Sequence, residues 1–265
     1  MLELGGETLV LTHDTLVEGV HVRFGQDPAD VAWKLVAVNL SDLAAKGAEP
    51  LGVLLGHALG EGDDRFIEGL REVLDRYDVP LLGGDTVKAD GPRSWGLTAI
   101  GRATHVPVPS RSGAQPGDRI YMTGTLGEAM HAFDAGPEAS WTVTEAYRRP
   151  EPRLKEGQTL APLVTAMMDI SDGLLLDAWR MAEASGVTFA LDHLQFPFRV
   201  GAIIADWERA IRWGDDYELL FTAPAGLQLP GHSTWIGTVE PAGLSSLILD
   251  GQPLSEADGL GYQHH

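Results

Sequence analysis

The segment MMDISDGLLLD, residues 167–177, places the carboxylates Asp169, Asp172 and Asp177 around the start of a leucine-rich sequence that reads as a helix. Helix capping is one interpretation, because a side-chain oxygen of Ser171 or Asp172 could accept hydrogen bonds from the free amides of the first turn. Capping does not explain Asp169, which precedes the turn on an apolar approach. A divalent cation held by several oxygens beside a phosphate would explain Asp169 as well as Asp172. Capping and cation binding therefore both stay open at this point.

Further acids stand near the ends of predicted elements: Asp14, Asp42, Asp85 and Asp215. Each has an ordinary alternative as a surface or turn residue. Asp42 follows Asn39 by three residues on one helix face, close to the apolar stripe, and a buried carboxylate is costly unless something neutralises it. Mg²⁺ prefers carboxylate oxygens and keeps waters and substrate phosphates in its shell. The spacing therefore indicates a magnesium–phosphate site without defining its substrate.

Hydrophobic periodicity predicts the elements that must position these acids. Strands are predicted at residues 8–14, 81–86, 95–103, 187–192 and 215–224, and residues 119–133 read as strand, glycine turn and helix. Helices are predicted at residues 28–47, 63–78 and 171–186. Residues 105–118 are rich in proline, glycine and serine, which indicates a domain boundary. We expect two α+β domains, residues 1–108 and 109–265.

Composition restricts the possible partners. The 265 residues carry a formal net charge of −19, both halves are acidic, and cysteine is absent. Nucleic acid and anionic membranes are therefore poor partners, whereas cations are good ones. Disulfides, thiolate metal sites and cysteine nucleophiles are excluded. The chain shows neither a membrane-spanning apolar run nor a signal-peptide pattern, so the prediction is a cytoplasmic protein.

Six motifs extend the interpretation, because in this order and spacing they resemble the thiamine-monophosphate kinases. These motifs are LTHDTLVEGVHV, WKLVAVNLSDLAAKGAEP, LLGGDT, SRSGAQPGD, DISDGLLLD and GDDYELLFT. The family belongs to the superfamily of aminoimidazole ribonucleotide synthetase and selenophosphate synthetase. The resemblance implies an N-terminal mixed-sheet domain that forms a barrel in a homodimer, and a C-terminal α/β domain. It also implies phosphorylation of thiamine phosphate by ATP, by direct in-line transfer with several Mg²⁺ ions.

The resemblance assigns site residues but no catalytic acid, base or nucleophile. The implied metal-site residues are Thr12, His13, Asp14, Asp42, Asp85, Asp169 and Asp172. The implied nucleotide contacts are Gly84, Arg111, Ser171 and Ile67, although the helical pattern by itself predicts Ile67 as a core residue. The implied contacts to thiamine phosphate are His21, Asp215 and Tyr262.

The chain departs from the family pattern at several places. His13 stands where a second threonine is usual, and Tyr262 stands where a tryptophan is usual. The sequence has no lead segment with the family's Gly-Asp-Asp motif, so we expect weaker magnesium binding and slower transfer. Two alternatives remain open: another ATP-dependent member of the superfamily, and a catalytically impaired homologue that binds nucleotide or thiamine phosphate.

Overall fold

The computed structural model describes residues 1–88, 90–198 and 206–263. Its N-terminal part forms a five-stranded sheet in the order β1-β2-β5-β3-β4. The strands are β1 (Leu2–Leu4), β2 (Glu7–Val17), β3 (Ala48–Ala58), β4 (Leu81–Val87) and β5 (Ser94–Ala103). Helices α1 (Pro28–Ala44) and α2 (Asp63–Tyr77) pack on each other, and α1 also packs against β2 and β5. One face of the sheet is thereby covered.

The C-terminal part forms a seven-stranded sheet in the order β12-β11-β8-β10-β6-β9-β7. Its strands are β6 (Asp118–Thr123), β7 (Ala166–Asp169), β8 (Val187–Leu191), β9 (Leu219–Pro224), β10 (Ser233–Pro241), β11 (Leu247–Leu249) and β12 (Gln252–Leu254). Its helices are α3 (Glu128–Ala135), α4 (Trp141–Arg148), α5 (Leu154–Leu160), α6 (Leu174–Ser185) and α7 (Trp207–Trp213). Short 3-10 helices cover His193–Gln195 and Glu256–Asp258. Helix α6 packs on β7, β8 and β11, and its leucines enter the largest core cluster.

Helix α1 is the element that joins the two sheets. Pro28 occupies its first turn, and the Asp27 carboxylate caps it by accepting the amide of Ala29 at 3.0 Å. The helix is buried along nearly its whole length, because the C-terminal part covers the side that the N-terminal sheet leaves open. At Gly157 of α5, an added Cβ would lie 2.0 Å from the carbonyl oxygen of Ala44, so the backbones meet there directly.

The fold confirms the predicted α+β class with two mixed sheets, and most long elements appear near their predicted positions. Two local predictions were wrong. Residues 215–218 are not part of a strand, because Asp215 and Tyr217 adopt positive φ angles of 58° and 51° and β9 begins only at Leu219. Ile67 is not a core residue; its side chain is 41% exposed on α2, whereas its neighbour Phe66 is buried.

The segment between the sheets, residues 104–117, contains neither helix nor strand. Within the described ranges, no helix has the length and apolar character needed to cross a membrane.

Candidate active site between the two domains

A cleft of about 760 Å³ lies between the N-terminal and C-terminal parts. Strand β2 and helix α1 form one wall, with Asp14 and Asp42 among the lining residues. The other wall comes from the end of β7, the turn before α6, the loop before β9 and the C-terminal segment. The lining contains two groups of side chains: the acids Asp14, Asp42, Asp169 and Asp172, here called the acidic end, and the contacting rings of Phe133, Tyr147 and Trp213, here called the aromatic end.

Four of the predicted metal-site acids line this cleft: Asp14, Asp42, Asp169 and Asp172. Burial, together with the charges of Asp42 and Asp172, raises the pKa of Asp14 from 3.8 to about 7. Burial, together with the charge of Asp42, raises the pKa of Asp169 to about 8. Like charges raise carboxyl pKa values only at short range, so these acids form one crowded group.

Hydrogen bonds from α1 and β2 fix the acids in place. The Ser41 hydroxyl donates to Asp169 Oδ2 at 2.7 Å, which joins the two domains, and the Thr12 hydroxyl donates to Asp42. The amide of Asp14 donates to Asn39 Oδ1 at 3.1 Å. The predicted shared face of Asn39 and Asp42 is therefore turned toward this group.

Asp177, rather than Ser171 or Asp172, binds the free amides before α6, so the capping interpretation was wrong in its residues. The N-cap residue of α6 is Gly173, which has no side chain that could accept a hydrogen bond from the first turn. The buried carboxylate of Asp177 accepts the amides of Ser171 and Asp172, both at 3.0 Å. Burial raises its pKa to about 6. The Asp172 side chain is thereby free of any capping role and lines the cleft.

Sequence reasoning missed Arg180, which binds two of these acids. Its guanidinium donates to Asp172 Oδ2 at 2.5 Å and to Asp177 Oδ1 at 3.0 Å. The spacing of three residues between Asp177 and Arg180 on one helix was an available signal. Arg180 holds one oxygen of Asp172 and leaves the other for the cleft.

The donor set of the cleft fits a hard divalent cation. After burial, the charges of Asp42 and Asp172 help to raise the pKa of Asp14, and the charge of Asp42 helps to raise that of Asp169, which shows an excess of negative charge in a partly buried space. Asp14, Asp42, Asp169 and Asp172 offer only oxygen ligands, and Mg²⁺ prefers oxygen ligands. His13, by contrast, binds Thr98 Oγ1 at 2.8 Å and lines the rim of the cleft.

Asp85 does not join these acids within one chain, contrary to the expectation of a single convergent set. Pairing places it beside Gly56, then Gly96, then Thr15, so it lies three strands from β2, about 14 Å away. The residue of β4 in the row of Asp14 is Gly84, one position earlier. Asp85 consequently projects from the opposite, exposed face of the sheet.

The predicted nucleotide contacts are separated. Ser171 lines the cleft, whereas Gly84, Arg111 and Ile67 are exposed and do not line it. Gly84 has a structural reason to be glycine, because a Cβ there would lie 2.0 Å from the Leu55 carbonyl oxygen. The structure therefore places one of these four residues beside the acids.

The three predicted acceptor contacts, His21, Asp215 and Tyr262, also line the cleft. The amide of Tyr262 donates to the Asp172 carbonyl oxygen at 2.9 Å, which ties the C-terminal segment to the turn of the acidic group. The amide of Val17 donates to His21 Nδ1 at 3.0 Å. Sequence reasoning missed the aromatic side chains beside them: Phe133, Tyr147 and Trp213.

Comparison with known proteins assigns the family. The AIR synthase related protein families match the chain, the N-terminal domain over residues 1–103 and the C-terminal domain over residues 115–228. Thiamine-monophosphate kinase of Escherichia coli (strain K12) is 38% identical over 97% of this chain and 87% of its own length. The chain belongs to the thiamine-monophosphate kinase family.

Solved structures of this kinase family agree with the fold. The crystal structure of thiamine-monophosphate kinase from Stenotrophomonas maltophilia K279a is 34% identical, with a TM-score of 0.85 over 94% of this chain and 87% of that chain. The structure of AaThiL complexed with AMPPCP and TMP is 28% identical, with a TM-score of 0.87 over 96% of this chain and 87% of that chain. The cleft therefore lies in a kinase fold of known type.

Proposed function

We propose that this chain transfers the γ-phosphate of ATP to thiamine monophosphate, giving ADP and thiamine diphosphate. The observation that carries the proposal is the cleft itself, which is lined by four carboxylates from both domains and by a group of aromatic side chains. A related structure, AaThiL, was solved with AMPPCP and TMP. This arrangement suits two phosphates that meet beside the acids while a cationic aromatic acceptor occupies the aromatic end.

The reaction needs positioning and charge neutralisation more than proton transfer. The attacking atom is a terminal phosphate oxygen of thiamine monophosphate, which is already ionised near neutral pH. A bond forms from this oxygen to the γ-phosphorus, and the bond from that phosphorus to the β–γ bridging oxygen breaks. The reaction therefore requires no general base, and the family resemblance assigns none. Alignment of the two phosphates is then the main task of the chain.

Asp14, Asp42, Asp169 and Asp172 are the residues that would hold magnesium. Bound Mg²⁺ would neutralise phosphate charge and orient both substrates. The chain itself sets the direction of these carboxylates through Ser41, Thr12 and Arg180. We assign the acidic end of the cleft to the phosphates for this reason.

The aromatic end is assigned to the thiamine moiety. Tyr262 lines the cleft with an aromatic ring, which attracts a cationic ring such as a thiazolium, whereas the guanidinium groups of Arg23 and Arg209 already lie over the rings of Phe133 and Trp213. Asp215 and His21 offer polar atoms for the aminopyrimidine. Since the reaction uses ATP, we place the activity in the cytoplasm.

We also propose a homodimer formed through the N-terminal sheet. Large apolar side chains are exposed on this sheet: Leu2, Leu4, Leu11, Leu54, Leu81 and Leu82. Exposed apolar surface of this kind is typical of an interface. Asp85 lies on the exposed edge strand, so its predicted role as a metal ligand requires that a partner copy brings the site to it.

Product analysis tests the proposed reaction. The chain is incubated with ATP and Mg²⁺ together with either thiamine or thiamine monophosphate, and the thiamine esters are separated by chromatography. We expect the diphosphate from thiamine monophosphate only, because its terminal phosphate oxygen is already ionised near neutral pH, whereas the hydroxyl of thiamine is not. Formation of phosphate esters from thiamine, or no diphosphate from the monophosphate, would contradict the proposal.

A further inference from the structure

Lys34 of α1 is the largest fully buried side chain among the described residues. Its ammonium group lies next to Tyr147, at the aromatic end of the cleft. The Lys34 side chain is 1% exposed, although lysine is almost never fully buried unless its charge is paired. The sequence places it on a helix of otherwise apolar surroundings, and no motif role was predicted for it. Its burial therefore needs a specific explanation.

The Lys34 ammonium contacts three separate elements of the acceptor end. It donates to Asp215 Oδ2 at 2.7 Å and to the carbonyl oxygen of His21 at 3.3 Å. It also lies 4.2 Å from the ring centroid of Tyr147. Asp215 and His21 are two of the three residues predicted to contact the acceptor. One buried cation thus connects the recognition residues of both domains.

Asp215 is held from both sides. Its Oδ2 accepts from Lys34, and its Oδ1 accepts from the Tyr217 hydroxyl at 2.9 Å. Its φ angle of 58° lies in the left-handed region, which aspartate adopts more readily than most residues. The remaining lone pairs of the carboxylate are available to the cleft, which Asp215 lines.

Stability alone is a weak reason for this ion pair. Burying two charges costs free energy that their attraction barely offsets, and apolar replacements of buried pairs are often neutral or stabilising. A methionine at position 34 would fill similar space without that cost. The pair is better explained by what it fixes, namely the direction of Asp215 and the carbonyl of His21.

We propose that Lys34 is a positioning residue for acceptor recognition, which fixes Asp215 and His21 against the aminopyrimidine of thiamine monophosphate. This inference rests on the proposed function. The contacts of Lys34 are to Asp215, His21 and Tyr147 and not to the acids assigned to the phosphates, so its loss should weaken binding of the acceptor equally in the ground state and the transition state. Such a loss raises KM for the acceptor while kcat and KM for ATP stay nearly unchanged.

Asp30 provides a matched control on the same helix. It is also 1% exposed, lies one turn before Lys34, and pairs with the C-terminal part through Arg149 Nε at 2.6 Å. It does not line the cleft. Asp30→Asn therefore weakens a buried interdomain ion pair of similar depth without touching the acceptor residues.

The experiment compares Lys34→Met, Lys34→Arg and Asp30→Asn with the unchanged chain by thermal melting and steady-state kinetics. We expect Lys34→Met to raise KM for thiamine monophosphate at least about tenfold, and Lys34→Arg to recover part of that loss because it keeps a cation. Asp30→Asn should lower the melting temperature and leave this KM within about twofold. The double variant Lys34→Met/Asp215→Asn removes the unpaired charge, so it should regain stability but not acceptor affinity.

The outcomes distinguish failure of the proposed function from failure of the positioning role of Lys34. If the unchanged chain makes no thiamine diphosphate, the proposed function fails. If it is active but folded Lys34→Met has an unchanged acceptor KM, or Asp30→Asn raises that KM equally, the positioning role is overturned. Should Lys34→Met fail to fold, Lys34→Gln replaces it: a folded Lys34→Gln with the original acceptor KM would also overturn the positioning role.

Discussion

The Ser41 hydroxyl of α1 donates to Asp169 Oδ2 at the end of β7 at 2.7 Å, and this single bond brings the acids of the two domains together. Asp42 is the next residue along α1 and contributes to the raised pKa values of both Asp14 and Asp169. The acidic end of the cleft therefore depends on how α1 sits between the sheets. The role of α1 can be tested by measuring activity and stability at different pH values, at different magnesium concentrations and in substituted chains.

Ser41→Ala should weaken magnesium use most strongly near neutral pH. The hydroxyl bond lowers the pKa of Asp169, so its loss raises that pKa further and leaves less carboxylate for the cation. We expect the magnesium concentration for half-maximal activity to rise at pH 7 and to recover toward the original value at pH 9. Thr159→Ala, on the exposed side of α5, is the control. An equal magnesium requirement at pH 7 would contradict this role.

The metal-free protein should lose stability as pH rises from about 4 to about 8. Asp14 and Asp169 have folded-state pKa values of about 7 and about 8, above the ordinary 3.8, so the folded state binds more protons than the unfolded state in this window. The stabilising contribution is complete below about pH 4 and is lost through the folded pKa values, with a slope of up to about 1.4 kcal/mol per pH unit for each group.

Denaturant unfolding in chelator at several pH values measures this slope. Asp42→Asn should flatten it, because Asp42 contributes to both shifts. Magnesium should flatten it as well, since bound cations displace the protons. Identical slopes for the original chain and Asp42→Asn would show that these acids do not interact.

Asp42→Asn should also abolish turnover while the chain still folds. The residue lines the cleft with Asp14, Asp169 and Asp172, and loss of one metal-held charge contact in phosphoryl transfer should reduce kcat/KM by at least about a hundredfold, or about 2.7 kcal/mol. The metal-free variant should melt at or above the temperature of the original chain. Asp75→Asn, an exposed acid of α2, should behave like the original chain in both measurements. Undiminished activity of Asp42→Asn would refute the role.

Periodicity was enough to predict most of the long elements, and four of the five acids expected to converge, chosen from the family motifs, line the cleft. The prediction for Asp85 failed because the pairing of strands that are distant in sequence determines its position. Asp85 is separated from Asp14 by the register of β2, β5, β3 and β4, which local sequence does not specify.

The same limit applies to single side chains. Lys34 and Arg180 read as ordinary helix cations, and only the packing shows that each binds an acid of the cleft. The strand predicted at residue 215 failed because contacts to Asp215 and Tyr217 hold positive φ angles that alternation does not reveal. Ile67 failed because α2 buries Phe66 and leaves the next position exposed.

Asp85 gives a prediction that distinguishes a shared site from a self-contained one. If a homodimer completes each cleft with Asp85 of the other copy, Asp85→Asn and Asp42→Asn homodimers should both be inactive. A heterodimer of the two variants then contains one site with both substitutions and one site with neither. Random reassociation of an equal mixture makes half the dimers heterodimers, so about a quarter of the original activity should return.

The measurement requires the two variants to be mixed, dissociated at low concentration or in mild denaturant, reassociated and assayed against each variant treated alone. Size-exclusion chromatography establishes the dimer before the assay, and Asp42→Asn treated alone supplies the background. A site within one chain cannot recover by exchange of partners, because each chain keeps its own substitution. No recovered activity in the mixture, or a fully active Asp85→Asn homodimer, would exclude a shared site and leave Asp85 as a surface acid of β4.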